Sequence, residues 1–178
     1  LSFDELTAEA ARVAPGADGV LFLPYMAGER SPIWNPDAKG VFYGLSFDRT
    51  RAHMVRAVLE GVAFSLEHNL RTAAETGVCV GTLNAMGGAS NSVLWTQIKA
   101  DVTGRIIQVP SSDTATTLGA AILAGVGCGV YESYDEAVSR TIRITRTQEP
   151  NPDNRGIYDR AMERYLRLYE DLKESFTA

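Results

Sequence analysis

The segment Gly87-Gly88-Ala89-Ser90-Asn91-Ser92 joins two adjacent glycines to a run of small and polar side chains. Glycine has no Cβ, so backbone can come close to a ligand and adopt angles that other residues avoid. The short apolar run Thr82-Leu83-Asn84-Ala85-Met86 precedes the pair, and a helical pattern over 93–103 follows it. This order predicts strand, tight turn, helix. A helix beginning behind such a turn offers free N–H groups and partial positive charge, which suits a nucleotide. Taken alone, the pair is a weak signal and reads first as an ordinary tight turn. No Lys-Ser or Lys-Thr follows at P-loop spacing, and the third glycine of a dinucleotide fingerprint is missing. The His-Arg-Asp and Asp-Phe-Gly landmarks of protein kinases are absent as well. If position 88 faces a ligand, a side chain there would clash with it or require φ values that only glycine tolerates.

Other residues with chemical potential are scattered. His53 and His68 fall on one predicted helix, with about 22 Å of rise between them, too far to share a metal ion. Asp101 and Asp113 are the carboxylates nearest the glycine segment, and neither has a partner base or metal-ligand neighbour. Asp101 reads as structural, bonding a turn backbone. No general base and no metal ligand is assigned in this chain. The stretch Gly28–Gly40 is dense in Glu, Arg, Trp, Asn and Asp. Its Glu29-Arg30 pair beside Pro32 either braces the loop or meets a ligand directly.

The elements that must position these residues follow from periodicity and punctuation. A helix is predicted over 4–13, with Ser2 or Asp4 near its cap, and a turn at Pro15–Gly19. Val20–Leu23 reads as a buried strand. Met54, Val55, Val58, Leu59, Val62, Ala63, Leu66, Leu70 and Ala73 mark a long amphipathic helix over 51–76. Asp48 or Thr50 caps its start, and Gly77 ends it. Gly61 lies mid-helix at a cost of about 1 kcal/mol relative to Ala, which argues for close packing on another backbone. After the helix over 93–103, Gly104 stops the run and 105–109 forms a strand ended by Pro110. Ser111-Ser112-Asp113-Thr114 reads as a polar loop. The helix 116–126 is apolar nearly all round, which predicts burial on several sides. A short helix over 134–140 and a strand or extended arm over 141–145 follow. In the last helix Tyr158, Ala161, Met162, Tyr165, Leu168, Tyr169, Leu172 and Phe176 share one face, read as core. Pro152 sits in its first turn after Asn151. Strand and helix alternate between 82 and 126, so the fold class is α/β.

Composition narrows the function. A chain of 178 residues, 45% apolar, is long enough for one soluble domain with a real core. A net charge of -5 argues against a nucleic-acid surface, which needs a basic stripe. The apolar runs are too short to cross a membrane. Cys79 and Cys128 lack metal or redox spacing and read as semi-buried small hydrophobes in a reduced, cytoplasmic protein. The start at Leu1-Ser2-Phe3-Asp4, without Met, suggests a piece of a longer protein.

Five ordered segments resemble the carboxy-terminal domain of the FGGY carbohydrate kinases: Gly28-Glu29-Arg30-Ser31-Pro32; Ala38-Lys39-Gly40 with Gly44-Leu45; Arg56-Ala57-Val58-Leu59-Glu60-Gly61-Val62-Ala63-Phe64; the Gly87–Gly104 block; and Leu118-Gly119-Ala120-Ala121. The likeness runs over residues 2 to 172, so residues 1–178 read as one domain fragment. Within the family the chain looks most like the xylulokinases, where Gly-Glu-Arg-x-Pro and Leu-Trp-x-Gln also occur. Gluconate and other pentulose kinases look similar here.

The resemblance implies an actin-like, ribonuclease-H-like ATPase domain, incomplete because the amino-terminal domain and early strands are not in the sequence. It implies ATP and Mg²⁺, a sugar substrate, contact with the protein's own amino-terminal domain, and a possible homodimer. Nucleic acid and membrane are not expected partners. Nucleotide contacts fall on Gly87, Gly88, Ala89, Asn91 and Ser92. Relatives often carry Asn where this chain has Ser92, so either Ser92 or the preceding Asn91 would meet adenine. Phe3 would lie near the adenine edge, and Thr114 stands where relatives often have Glu. The catalytic Asp belongs to the amino-terminal domain, so this fragment alone is expected to be inactive. The reaction implied is transfer of the ATP γ-phosphate to a pentulose hydroxyl, with D-xylulose as the leading substrate. Gluconate, ribulose or a polyol, or a non-catalytic sugar-sensing or scaffold module, are the alternatives.

Overall fold

The apolar positions from Met54 onward form one long helix, α2 (Arg51–Glu75), against which much of the chain packs. The computed structural model describes residues 1–111 and 115–177. Around α2 stand α1 (Phe3–Ala10), β1 (Leu21–Pro24), β2 (Gly40–Tyr43), β3 (Thr82–Asn84) and α3 (Val93–Thr103). Beyond them come β4 (Ile106–Pro110), α4 (Ala115–Gly127), α5 (Tyr134–Thr141), β5 (Ile144–Gln148) and α6 (Arg155–Leu172).

Local chemistry accounts for the helix ends. Ser2 caps α1 through a capping box: Glu5 N–H donates to Ser2 Oγ, and Ser2 N–H donates to the Glu5 carboxylate. Thr50 begins α2, its N–H donating to His53 Nδ1 at 3.1 Å. Gly77, at φ 86°, follows the end of α2. Gly61 packs against the backbone of Phe22 in β1, so the close approach inferred from the sequence is present.

The core joins β1, α2, α3 and α6. Leu21, Leu23 and Tyr25 meet Leu59, Phe64, Ile98 and Val102, and the aromatic face of α6 closes the cluster. Buried hydroxyls and charges inside it pair with one another, although Glu60 Oε2 is buried without a hydrogen-bond partner among the described residues. Tyr25 and Tyr165 hydroxyls lie 2.6 Å apart. Burial pushes the Tyr25 phenol up to about 12 and drives Tyr165 still further above the ordinary range. Arg56 Nε donates to Glu60 Oε1 at 2.6 Å, and Tyr158 and the Gly16 N–H donate to the same oxygen. This network ties the turn after α1 to α2 and α6.

Two small sheets flank the core. In the first, β1 and β2 pair antiparallel, with Phe22 opposite Phe42 and their rings 4.6 Å apart. In the second, the order is β3-β4-β5; β3 and β4 are parallel and β5 is antiparallel to β4. Parallel strands need a crossover, and α3 supplies it. The glycine turn is the link from β3 into that crossover helix.

Several boundaries and one environment differ from the sequence expectation. Strand β2 is too short to register as a periodic pattern, and its pairing with β1 creates it. Strand β3 stops at Asn84, although Ala85 N–H still donates to Gln108 at 2.8 Å. Strand β5 begins at Ile144 rather than 141, after α5 runs on to Thr141. Helix α4 is not buried on several sides: of its residues only Ile122 is buried, and Leu123 is 61% exposed. An apolar surface records what a helix could bury, and α4 meets mainly α5. Cys79 and Cys128 are exposed rather than semi-buried. Ser112, Asp113 and Thr114 lie outside the described residues, so the polar loop, the Asp113 carboxylate and the Thr114 substitution have no structural account.

Candidate nucleotide site

The turn from β3 to α3 is built by its own small residues. Gly87 adopts φ 82° and ψ 175°, an angle that excludes ordinary side chains, and Gly88–Asn91 then form one turn of 3₁₀ helix. Ser90 is buried and fastens the turn: its N–H donates to the Gly87 carbonyl at 2.9 Å, and its Oγ donates to the same oxygen at 2.7 Å. Ser92 caps α3, its Oγ accepting from Trp95 N–H at 3.2 Å. Asn91 is exposed, and among the described residues its side chain makes no hydrogen bond.

Gly87 and Gly88 differ in what makes them glycine. A Cβ at either position would meet nothing within 4 Å, so the outer side of the turn is open. Only Gly87 has a left-handed φ; Gly88 does not. The expectation that a residue at 88 would be strained is corrected: the special angle sits one residue earlier, where the chain leaves the strand.

The start of α3 is anchored on both sides. Trp95 Nε1 donates to the Leu59 carbonyl of α2 at 3.1 Å. The Phe3 ring lies 6.4 Å from the Trp95 ring, and Lys99 Nζ sits 4.4 Å above it. Desolvation lowers the Lys99 pKa below the ordinary lysine range. Phe3 thus packs at the start of α3, half exposed. Asp101 is structural, as its sequence context suggested: it accepts from Gln97, from the Asn151 N–H and from Asn154, each at 2.7–2.8 Å.

The Gly28–Gly40 stretch is braced through its backbone. Glu29 Oε1 accepts from the Arg30 and Ser31 N–H groups at 2.7 and 3.1 Å, rather than pairing with the Arg30 guanidinium. Asn69 and Asn35 tie the loop to α2 and to Tyr169 of α6. A hollow of about 460 Å³ opens beside this loop, lined by Gly28, Glu29, Arg30, Trp34 and Pro36. It does not include the glycine turn, which is an exposed ledge rather than a closed pocket.

The histidines stay apart. His53 Nε2 meets Asp18 at 3.1 Å, while His68 is held below the ordinary histidine range by desolvation and then by Arg71. Among the described residues no group of three or more His, Cys, Asp or Glu is placed to hold a metal ion. No described helix is long and apolar enough to cross a membrane.

Residues 3–128 match the model of the FGGY family of carbohydrate kinases, C-terminal domain. The chain belongs to that family. It is 38% identical to a gluconokinase from Bacillus licheniformis over 98% of this chain and 34% of that protein. The crystal structure of xylulose kinase from Rhodospirillum rubrum superposes with a TM-score of 0.87 at 34% identity, over 98% of this chain and 35% of that one. The structure of Plasmodium falciparum glycerol kinase with ADP matches with a TM-score of 0.79 at 26% identity, over 93% and 33%. This FGGY chain thus spans about a third of the length of the proteins it matches, and corresponds to the carboxy-terminal part of their actin-like ATPase fold. The family match ends at Gly-flanked Cys128, so α5, β5 and α6 lie beyond it.

Proposed function

We propose that these residues form the ATP-binding domain of a sugar kinase that transfers the ATP γ-phosphate to a pentulose hydroxyl, with D-xylulose as the leading substrate. The observation that carries this reading is the open glycine turn between β3 and the crossover helix α3. Backbone at Gly88 can approach a ligand without steric or conformational cost, and the turn keeps its shape through Ser90. A nucleotide would lie along Gly87, Gly88 and Ala89. Between the two candidates for adenine, Asn91 is favoured. Ser92 Oγ already accepts the capping bond of α3, whereas the Asn91 amide is exposed with donor and acceptor free among the described residues.

In the reaction, a sugar hydroxyl oxygen forms a bond to the γ-phosphorus as the bond from that phosphorus to the β-bridging oxygen breaks. The hydroxyl proton passes to a carboxylate in the amino-terminal part of the full-length protein, and ADP leaves. Such transfer depends on positioning and charge stabilisation, with Mg²⁺ on the phosphates. When bound, the ion would neutralise charge on the phosphates, and this proposal assigns it no ligand among the described residues. The protein works in the cytoplasm with its own amino-terminal domain. The gluconokinase likeness at 38% identity supports gluconate as a second substrate.

The test is an ADP-release assay of the full-length protein over D-xylulose, D-ribulose, gluconate and glycerol, with ADP titration calorimetry on the parent and Gly88→Glu. Sugar-dependent ADP release, strongest with D-xylulose, and loss of ADP binding in Gly88→Glu are expected. Gluconate as the best acceptor would transfer the proposal to the second substrate. Equal ADP affinity in both proteins would overturn the placement of the nucleotide.

A further inference from the structure

The glycine turn is held from beneath by a residue that lies beyond the family match. Arg146, in β5 opposite Val109, directs its guanidinium at the turn. It donates to the Ser90 carbonyl and lies 3.4 Å from Thr96 Oγ1, at the first turn of α3. Ser90 and Thr96 are both buried residues, so Arg146 meets the turn and the start of α3 on their protein-facing side. Ser90 in turn holds the Gly87 carbonyl through its N–H and Oγ. Arg146, Ser90 and Gly87 therefore form a single chain of hydrogen bonds from β5 to the residue with the left-handed angle.

The rest of this carboxy-terminal stretch grips α3 further along. Gln97 donates to the Glu149 carbonyl, and Asp101 accepts from Asn151 and Asn154. Residues 146–154 thus clasp one side of α3, with the arginine at the end nearest the turn. Two glycines in sequence leave a turn with more conformational freedom than any other pair. A turn that must present its backbone to a ligand pays less on binding if it is already ordered. A guanidinium under the turn supplies that order through a charge-assisted bond. It also places a fixed positive charge beneath a ledge that would receive a phosphorylated ligand.

We infer that Arg146 is a positioning residue for the nucleotide, ordering the Gly87–Asn91 turn through the Ser90 carbonyl. This rests on the nucleotide reading proposed above. The test uses the full-length protein with Arg146→Met, Arg146→Lys, Asp101→Asn and Gly88→Glu. ADP affinity is read by calorimetry, and KM for ATP, KM for sugar and thermal midpoint are read in parallel. Arg146→Met is expected to weaken ADP binding and raise KM for ATP by about ten-fold, the effect of one charge-assisted bond, with KM for sugar unchanged. Arg146→Lys keeps the charge and should fall between. Asp101→Asn loosens the far end of the clasp, and should lower the thermal midpoint without moving ADP affinity.

If Arg146→Met matches the parent in ADP affinity while Gly88→Glu has lost it, the arginine inference is wrong and the nucleotide turn stands. If Gly88→Glu also binds ADP normally, both fall. Should Arg146→Met fail to fold, Arg146→Lys decides: weaker ADP binding supports the inference, and parental binding overturns it.

Discussion

Gly61 of α2 sits directly on the carbonyl of Phe22 in β1: a Cβ added to the glycine would come within 2.3 Å of that oxygen. The obstacle is backbone, so no side-chain rotation relieves it. Gly61→Ala should therefore cost about 3 kcal/mol through overpacking, even though Ala is the better helix former by about 1 kcal/mol. Urea unfolding of the variant measures the balance. A variant as stable as the parent would mean that β1 shifts freely and that close packing is not why glycine is there.

The two glycines of the turn should respond differently to alanine. Gly87→Ala must adopt a φ of 82° with ψ 175°, and should lose about 1–3 kcal/mol of stability. Gly88→Ala has neither an unusual φ nor a neighbour within 4 Å, and its stability should match the parent. Its ADP affinity should nevertheless fall, because the methyl group projects where backbone would approach the ligand. Thermal unfolding and ADP calorimetry on both variants separate the two roles. Parental ADP affinity in Gly88→Ala would place the ligand elsewhere on the turn.

The Arg56–Glu60 pair links pH to stability. Burial drives the Glu60 carboxyl above its ordinary value of 4.5, and Arg56 opposes that shift. A carboxyl with a raised folded-state pKa contributes most below its unfolded value, and the contribution is lost as pH rises through the folded value. Arg56→Met removes the opposing charge and should cost about 3–5 kcal/mol at neutral pH, leaving a buried carboxylate unpaired. The deficit should shrink as pH falls, because the raised Glu60 carboxyl takes up its proton before an ordinary carboxylate does. Unfolding curves of parent and variant across this window test the sign; a deficit independent of pH would refute it.

The Tyr25 and Tyr165 hydroxyls are partners in the core, 2.6 Å apart. Tyr165→Phe leaves a buried hydroxyl with its partner gone, and should cost about 1–3 kcal/mol. Replacing both tyrosines with Phe removes the orphan and should be less costly than the sum of the single changes. Thermal melts of the double-mutant cycle decide this, and strict additivity would show that the two hydroxyls do not interact.

Much of this arrangement was legible in the residues because local rules and tertiary demands agree. The apolar stripe of α2, the capping serine of α1 and the aromatic face of α6 are helical signals that the core then uses. The mid-helix Gly61 signalled close packing because its propensity cost requires a compensating contact. The glycine pair was visible as a turn between strand and helix, but its division of labour was not. Which glycine takes the left-handed angle depends on the direction in which β3 ends and α3 begins.

The sequence by itself determined the α/β order, the principal helices, the place of the glycine turn and, through five ordered motifs, the family. Those properties depend on residue type and spacing, which short-range geometry translates directly. Only the tertiary structure decided that α4 packs mainly on α5 within this chain, that β2 pairs with β1, and that Arg146 reaches the turn from a strand 56 residues after Ser90. Contacts over such separations are created by strand pairing and helix packing, and no local pattern encodes which distant side chain arrives beneath a given carbonyl.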